Sequence, residues 1–194
     1  FYRDLLSSAF LIQSLDNFIG KILNNLRNLN SILSDVEIQN IMNYNPDSVI
    51  SPLYRETPEI DNQVFLGSKA YFLKKLYLNK FPVPPGFVIT TEVFRRLNSI
   101  MKINSLNNEI DGLVKKYIAE LEEITGLTYG DPKKPLLFSV RSGAAISMPG
   151  AMNTFLNVGL NDEITETLSK QDNFPWTSWD CYRRLLQTWG MAFG

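Results

Sequence analysis

The sequence comprises 194 residues, of which 44% are hydrophobic and 12% aromatic, a composition typical of a folded globular protein and not of a disordered one. Its formal net charge is −1, so no broad positive field favours nucleic acid or an anionic membrane surface as a partner. No apolar run approaches the roughly 18 residues that indicate a transmembrane helix, so we expect no membrane span.

The composition narrows the possible chemistry further. The chain contains no histidine, which excludes serine–histidine and cysteine–histidine catalysis and histidine-ligated metal sites within it. Its single cysteine, Cys181, excludes a disulfide within the chain and favours a reducing, cytoplasmic compartment. Because the first residue is Phe1 and not methionine, we expect the chain to be part of a longer protein.

Residues 1–44 are predicted to be helical. Apolar residues recur there at alternating spacings of four and three, as in a short coiled-coil seam: Leu15, Ile19, Ile22, Leu26, Leu29 and Leu33. Two interpretations stay open, since the seam could pack on its own chain or pair with the same seam of a second copy. Residues 43–62 contain three prolines and little apolar periodicity, which predicts a loop or linker. We therefore divide the chain into a helical extension with its linker, residues 1–62, and a second domain, residues 63–194.

The second domain opens with Val64-Phe65-Leu66, which is predicted to be a short strand, and a helix is predicted from Ala70 to about Asn79. Lys69 would then lie at a strand-to-helix junction, where backbone N–H groups and the helix dipole favour an anion. On the residues alone, a solvated lysine is the ordinary alternative.

The next elements follow familiar signals. The proline-rich turn Phe81–Gly86 leads into a predicted strand, Phe87–Thr90, and Thr90 or Thr91 can cap the helix after it. An apolar stripe predicts a helix over Asn107–Thr125, with Gly126 placed to end it.

The most informative stretch begins at Leu136. Leu136–Val140 has the length and composition of a buried strand, and Arg141 follows it directly. A guanidinium at the carboxyl end of a strand, followed by a loop with small residues, suits an oligophosphate, although a surface ion pair is the commoner role of such an arginine. Helices are predicted over Asn161–Ser169 and Trp179–Ala192, so the order of elements indicates a mixed α/β (α+β) domain.

Three segments carry a family resemblance. Ser139–Asp162, which reads SVRSGAAISMPGAMNTFLNVGLND, resembles the arginine-and-glycine loop of the pyruvate, phosphate dikinase family. The related phosphoenolpyruvate synthase has a looser version of this loop. Gly67-Ser68-Lys69-Ala70 with Phe81–Glu92 resembles the family's opening glycine–lysine segment, and Trp179–Leu185 resembles a helix that follows the loop. The resemblance runs from about Val64 to Gly190.

The resemblance implies the N-terminal part of an ATP-grasp-like nucleotide-binding domain that uses ATP with Mg²⁺. Lys69 and Arg141 would hold the ATP phosphates, and Arg141 would be the catalytic residue. Gly150 would belong to a backbone clamp over the phosphates, Ser147–Gly150, for which an ordinary β-turn is the alternative. Arg184 matches a family arginine, but an ion pair with Asp180 is an equal alternative.

The same resemblance implies partners outside this chain. ATP would phosphorylate a carrier histidine in another domain, and the phosphoryl group would pass to pyruvate at a distant domain to give phosphoenolpyruvate. The Mg²⁺ ligands are expected downstream, and we assign no metal ligand here. Ser68 and Ala70 stand where the family usually has glycines, and Asn153 replaces an aspartate of the family pattern. A phosphoenolpyruvate synthase-like enzyme and a non-catalytic nucleotide-binding or regulatory module therefore stay open as alternatives.

Overall fold

The computed structural model describes residues 45–142, 154–171 and 175–193, and also residues 17, 19–24, 27, 28, 36 and 43. The chain divides into two compact units. One contains Arg95–Asn107 with the described residues up to Asn45, and the other contains those of Pro46–Phe94 and Asn108–Gly194. No helix in these described ranges is long and apolar enough to cross a membrane.

The N-terminal prediction is tested only at some positions. The described residues 17, 19–24, 27, 28 and 36 are helical, as predicted for residues 1–44. The seam positions Leu15, Leu26, Leu29 and Leu33 lie outside the described residues. The packing of the seam therefore stays a prediction.

The remaining elements form an α+β architecture. The described strands make two antiparallel pairs, β1 with β2 and β3 with β4. In chain order the elements are β1 (Ile50–Pro52), α1 (Gln63–Leu78), β2 (Phe87–Ile89), α2 (Thr91–Arg95), α3 (Leu97–Lys102), α4 (Asn104–Thr125), β3 (Phe138–Arg141), β4 (Thr154–Val158), α5 (Asp162–Ser169) and α6 (Pro175–Phe193).

The loop or linker predicted over residues 43–62 is confirmed over residues 53–62, which form no helix or strand, and is wrong over residues 46–52. Pro46–Ser48 is a 3₁₀ turn, and β1 pairs with β2 through Ile50 with Ile89 and Pro52 with Phe87. Val49, Ile50, Leu53 and Ile60 are all buried. Proline is tolerated in β1 because both strands of a two-stranded sheet are edge strands. The division of the chain at residue 62 stays a prediction.

The strand predicted at Val64–Leu66 is also wrong. These residues lie in α1, because the side chain of Asn62 caps the helix by accepting from the backbone N–H groups of Val64 (2.9 Å) and Phe65 (3.2 Å). Gly67 then interrupts the helix with φ 73° and ψ 160°. Since L-residues rarely take that conformation, α1 consists of a short first segment and a longer second one.

The predictions between α1 and β3 are confirmed. β2 lies where a strand is predicted, and the Thr90 hydroxyl accepts from the backbone N–H of Glu92 (3.3 Å) at the start of α2. The long helix α4 begins at Asn104 and ends at Thr125. Gly126 has φ 68° and donates to the Glu122 carbonyl (2.9 Å), as expected of a glycine that ends a helix.

The C-terminal part contains a strand that the sequence analysis missed. β4 pairs antiparallel with β3 and accommodates one extra residue there, where Asn157 takes φ 59°. β3 itself is not buried, contrary to the prediction, since Val140 is 50% exposed in this structure. The predicted helices are present as α5 and α6, and α6 packs on β4 with Phe155 and Trp189 ring centroids 5.7 Å apart.

A buried lysine connects α1 to β1 and to the turn before α1. Lys74 is 2% exposed, and its Nζ donates to Ser51 Oγ (2.8 Å), Thr57 Oγ1 (2.7 Å) and Asp61 Oδ1. The Asp61 carboxylate also accepts from the hydroxyl and the backbone N–H of Thr57. We call these four residues the Lys74 cluster. All three ammonium N–H groups have acceptors, and one acceptor is the charged Asp61 carboxylate. These interactions offset the free-energy cost of burying the lysine.

The cluster shifts the pKa values of both charged partners. Burial would raise the pKa of Asp61, but the hydrogen bonds from Lys74 and Thr57 outweigh it and hold that pKa below its ordinary 3.8. Burial lowers the pKa of Lys74 below its ordinary 10.5, with Asp61 opposing the shift. The two shifts therefore act on stability in separate pH ranges, one acidic and one alkaline.

We predict that Asp61→Asn lowers the free energy of unfolding by roughly 3 kcal/mol, because a buried lysine then lacks its carboxylate. Chemical denaturation at neutral pH measures the change. Glu166→Gln is the matched control, since Glu166 forms an exposed ion pair with Lys170 and should give no measurable change. Equal stabilities of Asp61→Asn and wild type would contradict a stabilising role of the pair.

The pH dependence of that difference follows from the lowered pKa of Asp61. A carboxyl with a lowered folded-state pKa stabilises the protein above its unfolded-state pKa, and the contribution disappears as pH falls through the folded value. The stability gap between wild type and Asp61→Asn should therefore be full above the ordinary pKa of 3.8 and should shrink below it. Denaturation curves over a pH series measure the gap. A gap that is independent of pH would show that the charge of Asp61 does not matter.

Candidate functional site

Lys69 follows the interruption in α1. The structure corrects the predicted strand-to-helix junction to a junction between two helical segments, with Gly67 between them. Thr91 Oγ1 donates to the Val64 carbonyl (2.8 Å) and holds the first segment, while Lys69 lies in the opening turn of the second segment with an exposed side chain. Lys69 therefore still lies near a helix start, where an anion is favoured.

The residues beside Lys69 bear on the departures from the family pattern. Gly67 is the non-helical residue within α1, so Ser68 and Ala70 both have helical backbone. Neither residue is strained in place of a glycine, because helical φ and ψ suit every L-residue except proline. A Cβ at Gly67 would meet nothing within 4 Å, so the requirement for glycine there is its positive φ and not a lack of space.

Arg141 is the last residue of β3 and is exposed. It pairs with Thr154 in β4, and its Nε donates to Ser139 Oγ (3.3 Å). β3 ends at Arg141 and β4 begins at Thr154, its pairing partner, so the segment that connects the two strands begins and ends beside Arg141. Gly150 and the Ser147–Gly150 clamp lie outside the described residues, and their role stays a prediction.

Arg184 lies on α6 with a side chain that is 71% exposed. Its Nε donates to Asp180 Oδ2 (2.7 Å), which confirms the ion pair that the sequence left as one alternative. Arg183 donates to the other oxygen of the same carboxylate (2.7 Å). The hydrogen bond from Arg183, followed by that from Arg184, lowers the pKa of Asp180 below its ordinary value. One carboxylate is thus shared by two arginines, and the group keeps a positive charge.

Two of the three cations lie on elements that pack together, and the third lies on a different helix. Arg141 and Arg184 lie on elements that pack together, since β3 pairs with β4 and α6 packs on β4. Lys69 lies on α1, which packs on β2. No hydrogen bond or ion pair between described residues joins any two of the three side chains, and within those residues neither Lys69 nor Arg141 pairs with a carboxylate.

Sequence reasoning missed the Lys74 cluster. In the helix predicted from Ala70, the large apolar side chain of Leu76 is 41% exposed, whereas Lys74 is buried. A lysine is almost never fully buried without a partner, so the residue type alone indicated a solvent-exposed side chain. The available signal was the set of polar residues in the preceding segment, Ser51, Thr57 and Asp61, of the types that can satisfy an ammonium group.

The residues present can be compared with what ATP and Mg²⁺ need. Lys69 and Arg141 offer exposed positive charge without competing carboxylates in the described structure, which fits a phosphate group. No group of three or more His, Cys, Asp or Glu residues in the described ranges could hold a metal ion. The described part of the chain therefore offers phosphate ligands, while no Mg²⁺ ligand set is identified in it.

Comparison with known proteins finds relatives of this chain. No protein-family model matches it. It is 41% identical over 122 residues to the pyruvate, phosphate dikinase of Clostridium symbiosum, a match that covers 63% of this chain and 14% of that protein. It is 41% identical over 129 residues to that of Entamoeba histolytica, covering 66% of this chain and 14% of the relative.

A plant relative gives the same result. The chain is 39% identical over 128 residues to pyruvate, phosphate dikinase 1, chloroplastic, of Zea mays, a match that covers 64% of this chain and 13% of that protein. The matched part of the chain thus spans about one seventh of the length of its curated relatives. Over that matched part, close to two thirds of its residues, the similarity supports membership of the pyruvate, phosphate dikinase family.

Proposed function

We propose that this chain supplies the ATP-binding part of a pyruvate, phosphate dikinase-type phosphotransferase, with Lys69 and Arg141 as phosphate ligands. The observation that carries the proposal is the state of these two cations. Both are exposed and without a carboxylate partner in the described structure, one near a helix start and the other at the end of a hairpin. Arg184 is proposed as a further ligand despite its ion pair, and Gly150 as part of the clamp.

The two cations would divide the work of holding a triphosphate. A guanidinium donates two parallel hydrogen bonds in a fixed plane, whereas an ammonium group is a mobile point charge. Phosphoryl transfer depends mainly on positioning and on stabilising charge at the phosphate oxygens. Arg141 would therefore orient the phosphates and stabilise charge during transfer, and Lys69 would follow the charge as it shifts. Bound Mg²⁺ would supply further positive charge, with ligands that we place outside this chain.

The remaining steps require other parts of a longer protein. This chain contains no histidine, so the carrier histidine that accepts the phosphoryl group would have to lie in another domain. Transfer to pyruvate, giving phosphoenolpyruvate, would follow at a distant domain. We place the nucleotide-binding part in residues 63–194 with an ATP-grasp-like organisation, and we place the protein in the cytoplasm.

The alternatives differ in what happens after ATP binds. A phosphoenolpyruvate synthase-like enzyme would also phosphorylate a histidine, whereas a regulatory module would bind nucleotide without transfer. The substitutions at Ser68 and Ala70 favoured such a module, but both residues have helical backbone and are unstrained. This removes one argument for the module.

We predict that Arg141→Ala slows ATP-dependent phosphorylation of the carrier histidine in the intact protein by about 10- to 150-fold. The estimate follows from the loss of one hydrogen bond to a charged group, worth about 1.5–3 kcal/mol. Arg141→Lys should recover only part of the rate, because it keeps the charge and loses the planar pair of donors. Phosphohistidine formation with labelled ATP gives the rates.

Thermal unfolding of the same variants separates a phosphate role from a structural one. Lys170→Ala serves as the control, since Lys170 is an exposed cation paired with Glu166 on α5, and its rate should equal that of wild type. A normal phosphorylation rate for Arg141→Ala together with a lowered Tm would refute the proposed role. ATP binding without any phosphohistidine in the wild-type protein would instead favour the non-catalytic module.

A further inference from the structure

Lys74, at the centre of the Lys74 cluster, lies on the same helix as Lys69. A concavity of about 420 Å³ beside it is lined by Glu56, Asp61, Lys74 and Lys75 among others. However, the three N–H groups of Lys74 are all donated to Ser51, Thr57 and Asp61. Lys74 therefore has no donor left for a molecule in that concavity, and its contacts are internal.

Those contacts determine where the second segment of α1 lies. Gly67 interrupts the helix, so the first segment cannot hold the second in line through continuous helical hydrogen bonds. After Gly67 the helix runs without a break to Leu78, and Lys69 and Lys74 are separated on it by about 7.5 Å along the axis. A displacement of Lys74 would therefore carry Lys69 with it.

Apolar packing gives the second segment only partial support, since Leu73, Tyr77 and Leu78 are half-buried. Phe72 is 55% exposed and Leu76 is 41% exposed, although both have large apolar side chains. The buried residues of α1 are Leu66 and Gly67, which precede the second segment, and Lys74. The polar cluster is thus the main buried anchor of the segment that carries Lys69.

We propose that Lys74 and Asp61 are positioning residues for Lys69, and that the Lys74 cluster sets the place of the Lys69 ammonium group at the ATP phosphates. This inference rests on the proposed function, in which Lys69 is a phosphate ligand. It adds a requirement that a merely stabilising cluster would not have. The effect of losing the cluster on ATP affinity must pass through Lys69.

A double-mutant cycle tests this requirement, with Asp61→Asn and Lys69→Ala made singly and together in the intact protein. The measured quantity is the Kd for Mg·ATP, at a temperature where every variant is folded. We expect Lys69→Ala to weaken binding and Asp61→Asn to weaken it by about 3- to 30-fold, within the range of couplings between interacting residues. In the Lys69→Ala background, Asp61→Asn should have almost no further effect.

Two control variants guard against a general loss of stability. Thr57→Val removes one acceptor of Lys74 and leaves the ion pair, so it should fold even if Asp61→Asn does not, and should show a smaller effect with the same dependence on Lys69. Leu121→Ala creates a cavity at a buried residue of α4 and should lower stability while leaving the Kd unchanged.

The outcomes separate this inference from the proposed function. If Lys69→Ala does not change the Kd, Lys69 is not a phosphate ligand, and the proposed function fails together with the inference. If Lys69→Ala weakens binding but Asp61→Asn and Thr57→Val have no effect, or have the same effect with and without Lys69, the inference alone is overturned. A change of Kd in Leu121→Ala as large as that in Asp61→Asn would likewise overturn it.

Discussion

A buried ammonium group must find its acceptors where it lies, and that constraint organises the structure around α1. Lys74 takes one acceptor from β1, one from the turn that follows and one from Asp61 just before the helix. β1 is in turn paired with β2, so the cluster connects a sheet, a turn and a helix that are separate in sequence. Because an unpaired buried charge is costly, alternative placements of these elements are disfavoured.

The second feature is the position of the two exposed cations, Lys69 and Arg141. A positive φ at Gly67 begins a new helical segment just before Lys69, and the antiparallel return of β4 brings the two ends of a long connection beside Arg141. Lys69 and Arg141 lack carboxylate partners among the described residues, whereas Arg184 shares Asp180 with Arg183. Lys69 and Arg141 are therefore exposed cations that an anion can reach in the described structure.

Local patterns predicted much of the fold and failed where distant contacts decide it. The α4 helix followed from its apolar stripe and Gly126, and Thr90 and Asn161 cap helices where helix starts were expected. The strand at Val64–Leu66 failed because one Asn62 cap outweighs a short apolar run. β1, β4 and the burial of Lys74 were missed because each depends on a partner far along the chain. Of the candidate site, Lys69 and Arg141 came from the family resemblance, and their chemistry alone left solvated or ion-paired roles open.

The most direct test of the account uses ATP carrying a reactive acyl group on its γ-phosphate. A lysine amine beside the phosphates attacks the acyl carbonyl, forms an amide and releases ATP, so the labelled lysine identifies itself by mass spectrometry. With the intact protein, the account predicts acylation of Lys69 that excess Mg·ATP suppresses, and little acylation of the buried Lys74. Labelling that spares Lys69, or that falls equally on exposed lysines such as Lys75 and Lys170 and resists competition by ATP, would contradict it.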